Sequence, residues 1–180
     1  MAKVLVYASM SLDGYVAGPN VSEAHPMGVG GPRLHDWMFS DPGDPSDRAV
    51  SRAIRADTGA VVVGRRTFDV GLRHWNDVPY PAPSFVVTHE TRPDLPQRSG
   101  TFAFVDDIED AVKRAKEAAG DRTVMVMGAD VQRQVMAAGL ADEVMISLVP
   151  VLLGAGAKLF DGLPAMSFTG PVTHLRYPVT

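Results

Sequence analysis

Between Thr101 and Met127 the chain carries the pattern that most limits its fold: a short apolar run, a helical period, and a second short apolar run. The middle stretch, Asp107 to Ala119, places Ile108, Ala111, Val112 and Ala115 at i, i+3, i+4 and i+7, one face of a helix. Asp107 is a residue type that caps such a helix, and Gly120 one that ends it. The flanking runs, Thr101–Val105 and Thr123–Met127, read as buried strands. A strand, a crossover helix and a second strand imply a parallel pair, since antiparallel neighbours need only a turn.

The same alternation extends in both directions. Lys3 to Met10 reads as a first strand, broken by Ser11-Leu-Asp-Gly-Tyr-Val-Ala-Gly18. Pro19 to Gly31 is rich in Gly and Pro and has no period, the mark of a lid, a binding loop or a disordered segment. Arg33 to Phe39 is expected to form one or two helical turns. Asp44-Pro45 pairs an N-cap with Pro at the first helical position and opens a helix to about Asp57. Ala60–Gly64 and Ser84–Thr88 are strands, and Arg66–Trp75 and Asp130–Ala138 are helices. Val144–Val149 and Val172–Tyr177 are strand-like runs with only Gly/Pro-rich linkers between them, which predicts an antiparallel hairpin closing one side of the sheet. The fold class is therefore α/β with a mainly parallel sheet, and 180 residues suit one domain spanning 1–180. Ligands are expected at the carboxyl ends of the parallel strands.

Charge and composition remove several functions. With 17 basic and 21 acidic residues, the net charge is −4, which excludes a bulk positive field for nucleic acid or an anionic membrane. There is no cysteine, so thiolate zinc, iron–sulfur clusters, disulfides and a cysteine nucleophile are excluded. The longest apolar stretch, Val144 to Leu153, is interrupted by Ser147 and Pro150 and is too short for a spanning helix. The first ten residues alternate like a strand and make a poor signal peptide, so a soluble, cytoplasmic protein is expected. The five histidines show no metal-ligand spacing, and no metal is expected. The nucleophile elbow, the phosphate loop and the full dinucleotide fingerprint are all absent; Gly154-Ala-Gly156-Ala-Lys-Leu159 lacks the third glycine.

Chemistry is suggested at two places where a buried strand ends in glycine and a helix follows: Val63-Gly64-Arg65-Arg66-Thr67 and Met127-Gly128-Ala129-Asp130-Val131. Such a junction lets backbone approach a ligand and offers free N–H groups that suit phosphate. At the first, Arg65 and Arg66 oppose the helix dipole. Either a bound polyanion relieves that conflict or both side chains point into solvent. Asp13, in the turn after the first strand, either bonds its own loop as an Asx turn or works on a ligand, relaying a proton if burial raises its pKa. Asp36 has a lesser claim. Trp37 either stacks on a flat ring or belongs to the core.

Read in order, Ser11–Gly18, Val63–Phe68, Val86-Val-Thr-His89, Val126–Asp130 and Ala141–Phe160 resemble the dihydrofolate-reductase-like superfamily. The similarity is strongest to the reductase domain of bacterial riboflavin biosynthesis and its stand-alone relatives, and it runs over nearly the whole chain. The resemblance implies a three-layer α/β/α fold and NADPH as hydride donor. It implies that Gly64, Arg65, Arg66 and Thr67 grip the 2′-phosphate and pyrophosphate, that Thr88 lies beside the adenine ribose, and that Gly128, Ala129 and Val131 lie against the pyrophosphate and nicotinamide. Asp13 matches the substrate-side acid, with Tyr15, Asp36 and Trp37 on the substrate side. The expected reaction is reduction of a C=N or C=O in a small heterocycle or a ribosylamino-pyrimidine-like molecule, and a homodimer is expected. The alternative is a nucleotide-binding homodimer of the same fold without catalysis. Two positions depart from the family pattern: Tyr15 stands where a Lys is usual, and Ala129 where a second Gly is usual.

Overall fold

The computed structural model describes residues 1–178. Its elements in chain order are β1 (Val4–Ser11), β2 (Tyr15–Ala17), a 3-10 turn (Gly31–Leu34), α1 (Asp36–Phe39), α2 (Pro45–Asp57), β3 (Thr58–Gly64) and α3 (Arg65–Trp75). There follow β4 (Ser84–Val87), β5 (Leu95–Pro96), β6 (Thr101–Val105), α4 (Ile108–Ala119), β7 (Thr123–Met127), α5 (Ala129–Ala137), β8 (Glu143–Val149) and β9 (Ala157–Lys158). The predicted caps are in place: an Asp107 carboxylate oxygen accepts from Asp110 N at 2.8 Å, and Asp44 accepts from Ser46 N at 2.8 Å.

One seven-stranded sheet runs in the order β5-β6-β4-β3-β7-β1-β8, parallel except for β5. Alternation sorts its side chains into two cores. On one face Val4, Val6, Ala60, Val62, Val124 and Val126 pack with Ala111, Val112 and Ala115 of α4 and Val131 and Val135 of α5. On the other, Val61, Val63, Val86, Phe102 and Met125 pack with Ile54 of α2 and Phe68 of α3, while Trp37 and Met38 of α1 close its rim. The three layers are thus helix, sheet, helix.

The carboxyl-terminal part differs in detail from expectation. β8 runs parallel to β1, from Leu5↔Glu143 to Ser11↔Val149, and forms the sheet's edge. Val172–Tyr177 forms no strand, and Val172, Leu175 and Tyr177 are exposed. Pro171 and Pro178 bracket that run and withhold backbone donors at both ends, so apolar alternation alone does not build a ladder there. The carboxyl-terminal part instead supplies β9 to a separate antiparallel pair with β2, anchored by the fully buried Leu159.

β1 and β7 pair only from Val4↔Val124 to Val6↔Val126 and then part. Gln132 of α5 fills the split: its buried amide donates to Tyr7 O at 2.7 Å and to Val126 O at 3.0 Å. A buried carbonyl left bare would be costly, so this side chain stabilises the divergence that opens the sheet at its carboxyl end.

Candidate functional site

The chain leaves β3 and β7, which are neighbours, in opposite directions. α3 buries Phe68 in one core and α5 buries Val131 in the other. A crevice outside the strand ends follows wherever adjacent strands are continued on opposite faces. The two glycine junctions meet at that point. A Cβ added to Gly128 would stand 2.5 Å from Thr67 Oγ1 and 3.8 Å from Gly64 N. Gly128 has φ +96, a conformation that side-chain-bearing residues rarely adopt. Neither α3 nor α5 has a side-chain N-cap, so the first-turn N–H groups of both helices are available to an anion.

The residues expected at the cofactor fall into distinct roles. Thr67 and Ala129 are half-buried at the two helix starts. Val131 is buried and packs against Gly64, its Cγ2 3.0 Å from where a Cβ of Gly64 would lie, so it shapes the junction. Buried Thr88 accepts from Glu90 N at 3.1 Å through Oγ1 and fixes the loop after β4. Arg66 is exposed and has no acidic partner among the described residues. Arg65 is different: its Nη1 lies 3.1 Å from Asp69 Oδ2 and 3.5 Å from Glu90 Oε1. Sequence reasoning missed Arg92, which the loop after β4 carries back to Asp69 and Glu90. Its only signal in the sequence is an arginine two residues after an acid beyond a strand end.

On the β1 side, Asp13 reaches far from its own turn. It accepts from Ser11 Oγ at 2.5 Å, from Leu153 N at 3.1 Å and from Gly154 N at 2.7 Å. The Ser11 hydroxyl first, and the two backbone donors after it, hold the carboxyl down to about 2. Burial pushes the other way but is outweighed by these hydrogen bonds, so Asp13 is a carboxylate at every physiological pH. Tyr15 stands on the same loop; its hydroxyl donates to Gly154 O at 3.3 Å and Lys158 Nζ lies 5.5 Å from its ring centre. Trp37 donates from Nε1 to Ser9 Oγ at 3.0 Å. Ser9 and Ser11 share one face of β1, two residues apart, so Trp37 stands about 7 Å along the strand from the hydroxyl that holds Asp13. Asp36 is exposed at the start of α1 and has no side-chain hydrogen bond among the described residues.

The Pro19–Gly31 loop is tied at its base. Gly18 N donates to Met27 O at 2.9 Å and Val29 N to Pro19 O at 2.8 Å. Its tip crosses to α3, where Glu23 meets Arg73 at 2.8 Å. A cavity of about 960 Å³ opens at the opposite, amino-terminal end of the sheet, between Ile54, Thr58, Thr123, Glu143, Met145 and Phe168. None of the residues above lines it. A smaller cavity, about 220 Å³, lies at the ends of β4 and β6 between Thr88, Glu90, Arg92, Phe104 and Arg114, beside the arginines.

Among the described residues no helix is long and apolar enough to cross a membrane. Residues 2–176 match the model of the RibD C-terminal domain family. No curated protein matches the chain. Among solved structures, a protein of Shewanella sp. PV-4 named for riboflavin biosynthesis is 25% identical with TM-score 0.67, over 92% of this chain and 86% of that one. A deaminase/5-amino-6-(5-phosphoribosylamino)uracil reductase of Thermotoga maritima is 16% identical with TM-score 0.58, over 94% of this chain and 51% of that one, so this chain spans about half of it. Dihydrofolate reductase of Enterococcus faecalis, solved with NADP(H), is 13% identical with TM-score 0.51, over 87% and 76%. At these identities the last two speak for the fold, which is dihydrofolate-reductase-like.

Proposed function

The chain belongs to the RibD C-terminal domain family, and from that premise we propose that it is an NADPH-dependent reductase of a C=N or C=O bond in a small heterocycle, a ribosylamino-pyrimidine being the type. Family and neighbours together support a reductase-like function. The observation that carries the cofactor is the meeting of the two junctions: Gly128 lies so close to Thr67 that a Cβ there would stand 2.5 Å from Oγ1, and the uncapped helix starts on either side of that contact offer N–H groups that suit a pyrophosphate. The residues fit that group: uncapped helix starts, a free guanidinium at Arg66 and a hydroxyl at Thr67.

When bound, the cofactor supplies the hydride: two electrons and one hydrogen go to the substrate carbon, the nitrogen or oxygen takes a proton, and NADP+ is left. Asp13, fixed as a carboxylate, orients substrate N–H or O–H groups and is not the proton donor; water at the cleft supplies the proton. Trp37 and Tyr15 wall the β1 side and limit solvent there. Tyr15 offers a ring where the family usually has a lysine, and its cross-strand partner Lys158, with Nζ 5.5 Å from that ring, is the cation left there to meet a substrate phosphate.

Titration with NADPH and NADH under fluorescence detection tests the cofactor, and NADPH oxidation with a panel of pyrimidines, pterins and flavin precursors tests the reaction. Micromolar NADPH binding with turnover of one substrate class is the expected result. Binding with no oxidation across the panel would favour the nucleotide-binding reading, and no binding would overturn the proposal.

We further propose a homodimer through β8, whose outer edge has no partner strand among the described residues and whose apolar residues Val144, Met145, Ile146 and Leu148 are only half-buried. An open, apolar edge invites pairing with a second copy. Light scattering at micromolar concentration should return twice the 19.3 kDa chain mass; a monomer mass would dismiss the idea.

A further inference from the structure

Arg65, Asp69, Arg92 and Glu90 form a closed ring of alternating charge beside the first turn of α3. Asp69 receives Arg65 Nη1 at 3.1 Å on one oxygen and Arg92 Nη1 at 2.9 Å on the other. Glu90 receives Arg92 through Nη2 at 2.5 Å and Nε at 3.0 Å, and stands 3.5 Å from Arg65. The Arg92 guanidinium lies over Phe68 and Phe104, 5.9 and 5.6 Å from the ring centres, which fixes its plane. Two arginines and two carboxylates sum to zero, so a phosphate arriving here meets two cations already neutralised.

The two carboxylates are not equivalent. Asp69 is carried by α3, is 34% exposed and is held by both arginines. Glu90 sits on the loop after β4, its side chain 51% exposed, and lines the 220 Å³ cavity with Arg92 and Thr88. Glu90, the more exposed of the two and carried by a loop, is the one freer to turn into water. Its oxygens occupy the position on Arg65 and Arg92 that a phosphate would need, and the same oxygens could accept a hydrogen bond from a ribose hydroxyl.

We propose that Glu90 is a specificity-determining residue: it stands in for the 2′-phosphate on Arg65 and Arg92, accepts the 2′-hydroxyl of NADH, and must be displaced by NADPH. This rests on the dinucleotide reading above. The preference for NADPH that Arg66 confers is therefore partly cancelled, and the protein uses both coenzymes. Removing the Glu90 charge frees one guanidinium face for the phosphate, a gain on the scale of one charge-assisted contact, about tenfold in affinity.

Calorimetric titration of the wild-type protein and Glu90→Gln with NADPH, NADH and 2′,5′-ADP provides the test. Glu90→Gln should bind NADPH and 2′,5′-ADP about tenfold tighter, with NADH unchanged or weaker. Unchanged NADPH affinity, or an equal gain for both coenzymes, overturns the role of Glu90 while leaving the dinucleotide reading in place. Wild-type protein that binds none of the three removes that reading, and this inference with it. Because Glu90 is exposed and in a loop, an unchanged melting temperature should accompany the variant.

Discussion

Replacing Gly128 with alanine is expected to lower NADPH affinity by at least about thirtyfold and to destabilise the protein by about 2 kcal/mol. The two effects have separate causes. At φ +96 an alanine is strained whatever space surrounds it, at a cost of about 1–3 kcal/mol. For a chain of this length each kcal/mol moves Tm by about 2–4 °C, so a fall of several degrees should be seen. The affinity loss comes from the added Cβ, which would stand 2.5 Å from Thr67 Oγ1 in the gap between the two junctions. Thr67 would have to rotate, and the new methyl would occupy the approach to both helix starts. Gly120→Ala is the control: φ is +65 at the end of α4, far from the site, and nothing lies within 4 Å of the added Cβ. It should lose stability and keep its NADPH affinity. Calorimetry and thermal melts on both variants separate strain from occlusion. A Gly128→Ala protein that binds NADPH as the wild type does would remove the junction from the binding path.

That junction was legible because its signals are local. A strand, a glycine and a helix start are contiguous in sequence, and so are the caps at Asp44 and Asp107 and the i, i+3, i+4, i+7 face of α4. What needed the fold was of two kinds. Gln132 is polar on the buried side of α5, and its reason is two carbonyls exposed where β1 and β7 part, which no helical period reports. The Arg65–Asp69–Arg92–Glu90 ring joins a helix to a loop beyond the next strand, so only tertiary packing brings it together. Asp13 shows the limit most sharply. A local Asx turn and a proton relay were both open from its neighbours, yet two of its partners are Leu153 and Gly154, 140 and 141 residues away. Val172–Tyr177 errs the other way, with a strand-like pattern and no strand beside it.

Arg66→Ala is expected to weaken NADPH by about thirtyfold, to leave NADH within about twofold, and to make the cofactor-free protein slightly more stable. A charge-assisted contact to phosphate contributes about 1.5–3 kcal/mol, which corresponds to about 10–100-fold in affinity. The opposite sign for stability follows from the position. Arg66 lies in the first turn of α3, where positive charge faces the positive end of the helix dipole at a cost of about 0.3–1 kcal/mol, and no acidic side chain offsets it among the described residues. Alanine removes that repulsion and is the better helix former. Arg65 does not share this signature, because Asp69 and Glu90 hold it and its loss would leave two carboxylates facing the phosphate. A residue that merely points into water would give the same small gain in stability and leave NADPH affinity unchanged, and one that serves the fold would lower stability. Only a group kept for a ligand, against the preference of the helix that carries it, should raise Tm by a degree or two as it loses the phosphorylated coenzyme; equal losses for NADPH and NADH would refute that assignment.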